Sequence, residues 1–178
     1  MGKIQVIFSV GRGNYSFDSL YVRAVEKKPD IKLLPGAPGC ISGLVDLRGE
    51  LVPILDLHKK FNTGLTASSE SDVIFVNTEE GCLGCIVDRV VEIGAVTEDL
   101  EIELPYLIRT AATEYVAEIV SYKDGLVTAI NQDKLLSDDE KASLKKVFDK
   151  AKKKAEKDAE KKAAKEAEKA AAEAAKEE

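Results

Sequence analysis

Cys82-Leu83-Gly84-Cys85 is a C-x-x-C pair, the spacing used for dithiol redox chemistry and for half of a zinc site. The redox reading needs one cysteine at a helix N-terminus, where a thiolate is stabilised. This pair falls inside an apolar run that reads as a strand, and i and i+3 side chains of a strand point to opposite faces. A zinc reading needs two further ligands, and only Cys40 and His58 remain among cysteines and histidines. The two cysteines therefore read as small buried apolar residues. A thiol redox or zinc protein using Cys82 and Cys85 stays as an alternative function. His58 is the only histidine, and no nucleophile elbow accompanies it. It reads as an exposed residue following a strand. Asp46, Asp56, Asp88 and Asp124 are scattered and make no metal loop. Gly11-Arg12-Gly13 lacks the third glycine and the following helix of a phosphate loop. No catalytic residue, cofactor or metal is expected.

One charged residue stands out by position. Arg48 lies in Leu47-Arg48-Gly49-Glu50, between the apolar runs Leu44 to Leu47 and Leu51 to Leu57. Both runs are rich in strand formers. Gly49 supplies the positive φ that a tight reversal needs. An arginine at such a tip points at water or at a partner. Pro53 has no N–H, so its strand is expected at a sheet edge or beside a bulge.

The elements that carry these residues read as short strands separated by turn signals. They are Ile4–Val10, a strand opening at Tyr15, Leu44–Leu47, Leu51–Leu57, Asp72–Asn77, Cys82–Ile93, Glu114–Tyr122 and Leu126–Ile130. Leu20–Glu26 is a short helical or extended connector, and His58–Phe61 is one helical turn. Such a series indicates an all-β barrel or sandwich. At 44% hydrophobic and 6% aromatic residues, without tryptophan, the core is expected to be aliphatic.

Ser137-Asp138-Asp139-Glu140 is a capping box, with acidic residues at the positive end of the helix dipole. Leu144, Val147 and Phe148 follow at helical spacing and can dock on the β-domain. Beyond Ala151 the chain is almost entirely Ala, Lys and Glu, strong helix formers with no Leu, Ile or Val seam for a coiled coil. Pairs such as Asp149–Lys153 and Asp158–Lys162 are worth about 0.2–0.5 kcal/mol each. This segment reads as a solvated helix, a spacer or solubilising tail.

The chain has 178 residues and a net charge of −6. From Lys145 to Glu178 there are 12 Lys and 9 Asp or Glu, a balance of +3, so the rest carries −9. An acidic body argues against nucleic acid or an anionic membrane as the main partner. There is no apolar run long enough to span a bilayer and no signal-peptide pattern. Three cysteines without a targeting segment suggest a reducing cytoplasm.

The central stretch resembles the CheW family, the coupling proteins of bacterial chemotaxis. Leu47-Arg48-Gly49 followed by Leu51-Val52-Pro53-Ile54-Leu55-Asp56-Leu57 carries the resemblance. Leu34-Pro35-Gly36-Ala37-Pro38-Gly39 and Ile41-Ser42-Gly43 match the family's approach to the turn, and the likeness continues to about Leu136. It implies an all-β fold of two small five-stranded SH3-like barrels side by side with a groove between, followed here by a long charged C-terminal α-helix. Residues 1–136 would be the CheW-like domain, with barrel one centred on 15–60, barrel two on 72–130, and chain ends crossing between them. Residues 137–178 would be the helix or tail.

The resemblance further implies a non-enzymatic scaffold that couples methyl-accepting chemotaxis receptors to the regulatory domain of a CheA-type histidine kinase. The alternative within the same fold is the regulatory barrel of such a kinase, separated from its catalytic part. The family's turn arginine, here Arg48, sits at the position implicated in coupling. Val22, Val25, Leu44 and Val87 are the expected groove-facing apolar residues. Family members carry aliphatic residues where Cys82 and Cys85 stand. The chain departs from the pattern at Asp46, where asparagine is common, at Ala24, where a glutamate aligns, and at Asn131-Gln132-Asp133 near the closing strand. These departures touch the choice of receptor and kinase more than the fold.

Overall fold

A computed structural model describes residues 3–96, 101–102, 113–123 and 125–175; the side chains of 96, 101, 102 and 155 are not described. The expected acidic loop at 98–107 and the turn residue Asp124 lie wholly or largely outside the described residues. Among the described residues, eleven strands form two sheets. The first has six strands in the order β8-β1-β2-β11-β10-β9: Arg89–Val96, Lys3–Val10, Gly13–Asp18, Gly125–Ile130, Val116–Tyr122 and Glu101–Ile102. The second has five, in the order β3-β6-β7-β5-β4: Val22–Lys27, Asp72–Thr78, Gly81–Val87, Glu50–Asp56 and Ile41–Leu47. Between β5 and β6 lies the single helical turn α1, Leu57–Lys60.

Two expectations are corrected here. The strand ladders among the described residues run from edge to edge without closing into barrels, and the sheets have six and five strands rather than five each. The division at residues 15–60 and 72–130 also fails. The hairpin β6–β7 joins the sheet of β3, β4 and β5, while β2 belongs with the C-terminal strands. The deciding contacts are remote in sequence. β7 lies parallel to β5 through Ile54↔Gly84 and Leu55↔Cys85, and β11 lies parallel to β2 through Thr128↔Tyr15. No local turn signal announces a parallel pair, whose connection is long.

The interior strands β6 and β7 of the five-stranded sheet are buried on both faces, which is why they read as unbroken apolar runs. Along β6, Val73 and Phe75 enter one cluster with Val45, Leu47, Val52, Ile54 and Ile86. Ile74 and Val76 face the other way, into the main core, with Leu55, Leu57, Leu83, Cys85 and Val87. Val6, Phe8 and Val10 of β1 and Phe17 of β2 close that core from the six-stranded sheet. Gly84 has no side chain because a Cβ there would stand 2.4 Å from Ile54 Cδ1 and 3.1 Å from Phe75 Cε1. The few aromatics gather where the sheets meet. Phe8 stacks on Phe17 at 4.9 Å between centroids, Tyr15 on Phe61 at 4.7 Å, and Phe61 on Tyr115 at 5.0 Å. Apart from Phe75, the core within the five-stranded sheet is aliphatic, and the junction carries this aromatic group.

Pro53 sits on an interior strand, not on an edge strand. Its neighbour β7 pairs with β5 only from Ile54 onward, so the missing N–H falls where β4 is the only partner. A register shift between Ile41 and Gly43 follows at once.

The C-terminal helix α2 spans Asp138–Ala174, 37 residues. The predicted capping box is present: Glu140 N–H donates to Ser137 Oγ at 3.2 Å, and Ser137 N–H to Glu140 Oε2 at 2.8 Å. Leu144 is buried in the main core and Val147 and Phe148 are half-buried. Every side chain described from Lys152 onward is exposed. Neither Asp149–Lys153 nor Asp158–Lys162 closes to an ion pair, since long exposed chains gain little from holding one geometry.

Candidate functional surface

The β4–β5 turn is the most sharply defined surface feature. Leu47 pairs with Glu50, leaving Arg48 and Gly49 as a two-residue loop with φ of 56° and 88°. Positive φ at both positions makes a type I′ turn, whose twist matches the flanking strands. Gly49 adopts it freely, whereas Arg48 carries a Cβ in the left-handed region. Asp46 supports the loop by accepting the Gly49 N–H on Oδ1 at 2.6 Å. An amide oxygen at this position would accept the same bond. Arg48 is exposed, and no intramolecular hydrogen bond or ion pair of its guanidinium occurs among the described residues.

Beside the turn, Arg23 of β3 donates from Nη1 to Glu50 Oε2 at 2.5 Å. β3 is one edge of the five-stranded sheet, and Glu50 starts a strand next to the other edge. The sheet is therefore curled so that its two margins approach, and a second contact, between Lys32 and Leu44, fastens the same side. The Glu50 carboxylate bonded to it raises the Arg23 pKa, and Cys82 adds to the shift. Leu51, 47% exposed, stands next to this pair.

The expected groove residues separate into two groups. Val25 is exposed on edge strand β3, and Val22 is half-buried against the main core. Leu44 and Val87 are corrections: both are buried, Val87 completely in the core between the two sheets and Leu44 on β4 under its bridge to Lys32. Val87 lies on an interior strand covered on both faces, and Leu44 is covered by the Lys32 segment bridged to it. Arg23, Glu50 and Leu51 were missed. The alternation of Arg23, Val25 and Lys27 in β3 was a usable signal for an exposed strand face.

His58 is the other correction. Its side chain is 1% exposed, not solvent-facing. Nε2 lies 2.9 Å from Asp88 Oδ1 and Nδ1 lies 3.0 Å from Thr63 Oγ1. A carboxylate only accepts, so Nε2 carries the proton and donates. Asp88 Oδ2 also accepts the Gly11 N–H at 2.7 Å. Asp88 stands between β7 and β8, where the chain passes from one sheet to the other, so this network ties the sheets together. Cys82 and Cys85 fall on opposite faces of β7, in different clusters. Burial pushes the Cys85 thiol pKa well up, and that of Cys40 to about 11, the latter helped by Glu140. Among the described residues no group of three or more His, Cys, Asp or Glu is placed to hold a metal ion.

A groove of about 810 Å³ opens between the first turns of α2 and the β6–β7 turn. Leu51, Pro53, Leu83, Leu136 and Phe148 give it apolar walls, and Glu79, Glu80, Asp133, Asp138 and Asp149 rim it. Among the described residues, no helix is long and apolar enough to cross a membrane.

The chain is thus an all-β domain of two sheets, densely packed inside, with a charged turn and exposed strand margins outside. Comparison with known proteins gives the class its family. The model of the CheW-like domain matches residues 5–140. The chain is 29% identical to the chemotaxis protein CheW of Treponema pallidum over 140 residues, 76% of this chain and 82% of that protein. It is 29% identical to the chemotaxis protein CheW of Klebsiella aerogenes, over 80% of this chain and 86% of that protein. The crystal structure of the scaffolding protein TtCheW from Thermoanaerobacter tengcongensis superposes with a TM-score of 0.70 at 32% identity, covering 76% of this chain and 92% of that one. The chain belongs to the CheW family and is a scaffold protein of chemotaxis signalling.

Proposed function

We propose that this chain couples chemoreceptors to a CheA-type histidine kinase in the cytoplasm, with no catalytic step of its own. Residues 1–136 act as the coupling unit, each sheet serving as one SH3-like half, and residues 137–178 are an appendage. The receptor's hairpin tip lies along the seam where the two halves meet, and the kinase regulatory domain pairs with an exposed sheet margin. Exposed aliphatic residues, Val25 and Leu51 among them, supply contact area, and Arg48 supplies register. The reading as a coupler rather than a detached kinase domain is supported by the CheW relatives, most of whose length the chain spans.

The observation that carries the assignment of Arg48 is its backbone. A left-handed φ on a non-glycine residue costs of the order of 1 kcal/mol, and here no internal contact of the side chain offsets it. A planar guanidinium held outward on a rigid turn suits bidentate pairing with a carboxylate or a carbonyl rim. Arg48→Glu is expected to leave the thermal melt nearly unchanged and to weaken pull-down of receptor or kinase. Arg48→Gly, which the turn favours, is expected to melt at the same temperature or higher and to lose the same binding. Unaltered capture by both variants would remove Arg48 from the interface.

A further inference from the structure

The C-terminal helix continues far past the 5–140 family match and past its own last contact with the body. Its charges are not mixed evenly. Lys146, Lys150, Lys154, Lys157, Lys161 and Lys165 follow one another at intervals of 4, 4, 3, 4 and 4 residues. At about 100° and 1.5 Å per residue, they share an arc of roughly 100° over about 29 Å. The carboxylates between them, Asp149, Glu156, Asp158 and Glu160, lie outside that arc. All six lysines are exposed. None makes an ion pair with another described residue. Among the described residues nothing covers this lysine-rich face of the helix.

We infer that this face docks on the acidic groove at the base of the helix in a second copy of the chain. Charge selects that occupant. The body carries −9, and the groove gathers Glu50, Glu79, Glu80, Asp133, Asp138 and Asp149 against two lysines, Lys141 and Lys145. The contact Lys141 Nζ to Glu80 Oε1, at 3.8 Å, already places one helix lysine beside this rim. Lysine stems can lie along Leu51 and Phe148 while their ammonium groups reach the carboxylates. The contact cannot form within one chain. The same unbroken helix builds one wall of the groove and then leads away from it, so its later turns cannot fold back. A nucleic acid or an anionic lipid surface fits less well, because a polyanion drawn to the lysines would be repelled by the acidic body. Tail and groove are different patches, so association runs head to tail unless two copies exchange tails. This inference does not depend on the kinase-coupling reading.

The test is sedimentation velocity of the full chain over a concentration series. It is run at an ionic strength of about 0.01 M, where charges act over about 30 Å, and at about 1 M, where they act over about 3 Å. Mass above the monomer at low salt, reverting to monomer at high salt, is expected. Lys150→Glu/Lys157→Glu/Lys161→Glu should weaken association about tenfold or more, as three exposed pairs would. Glu79→Lys/Glu80→Lys should also weaken it, and combining both sets should restore it. Far-UV circular dichroism checks that the helix persists; if the glutamates disturb it, Lys150→Gln/Lys157→Gln/Lys161→Gln keeps strong helix formers in place. A monomer at every salt concentration would overturn the inference. So would association that survives tail reversal, or that ignores groove reversal. Binding of phosphatidylserine vesicles or duplex DNA by a chain that stays monomeric would assign the lysine face to polyanions instead.

Discussion

Removing the Asp88 carboxylate should loosen the joint between the two sheets. Asp88→Ala takes away the acceptor for His58 Nε2 at 2.9 Å and for the Gly11 N–H at 2.7 Å. Hydrogen bonds to a charged group are worth about 1.5–3 kcal/mol each, and a buried donor left without a partner costs its desolvation. The histidine donor is the expensive one, because its side chain is 1% exposed, whereas Asp88 is 37% exposed and water can replace part of what it offered Gly11. The net loss is about 3 kcal/mol. For a chain of this size, about 2–4 °C is lost per kcal/mol, which predicts a melting point lowered by about 6–12 °C. Asp88→Asn keeps one acceptor oxygen and should cost about 1 kcal/mol. The decisive assay is a double-mutant cycle in urea with His58→Ala. If the two groups act as one network, Asp88→Ala costs far less once His58 is gone, with a coupling of about 1–2 kcal/mol. A melt unchanged by Asp88→Ala, or additive losses in the cycle, would refute the view that this contact holds the sheets together.

Other outcomes follow from single contacts. Gly84→Ala should cost about 1–3 kcal/mol by overpacking against Ile54, and Ile54→Val, which removes the nearest atom, should recover part of it in denaturant titrations. For Glu140, burial raises the pKa, but bonds from Lys60, the Ser137 amide and Cys40 outweigh it, so the folded value is lowered. A lowered folded value means its stabilisation is present above the ordinary value near 4.5 and is lost as pH falls through the folded one. Acid titration should therefore weaken helix docking more in the wild type than in Glu140→Gln, read by chemical denaturation between about pH 5 and pH 3. Thiol labelling of the folded chain should reach Cys82, half-buried at the groove, before Cys40 or Cys85. Equal rates for all three would contradict the burial described here.

The local devices were legible because each is encoded within a few residues. The Arg48-Gly49 turn, the helical turn after Leu57 and the Ser137 capping box form as their sequences indicate. The family itself was readable from the stretch around that turn. Strand partners were not. Whether β6–β7 completes the first sheet or starts a second depends on Gly84 giving Ile54 room and on a parallel register 30 residues distant. Periodicity marks a strand but carries no address for its neighbour.

The same limit decided which residues reached the surface. Val25 and Val87 have the same side chain, yet one lies on an edge strand and the other between two sheets. His58 looked exposed because its neighbours Lys59 and Lys60 are polar, and only the meeting of Thr63, Asp88 and Gly11 around it makes burial affordable. Sequence alone determined the pieces, the charge of the body and tail, and the outward arginine, because those depend on near neighbours. Tertiary structure decided sheet membership and burial, because those depend on contacts between residues far apart in the chain.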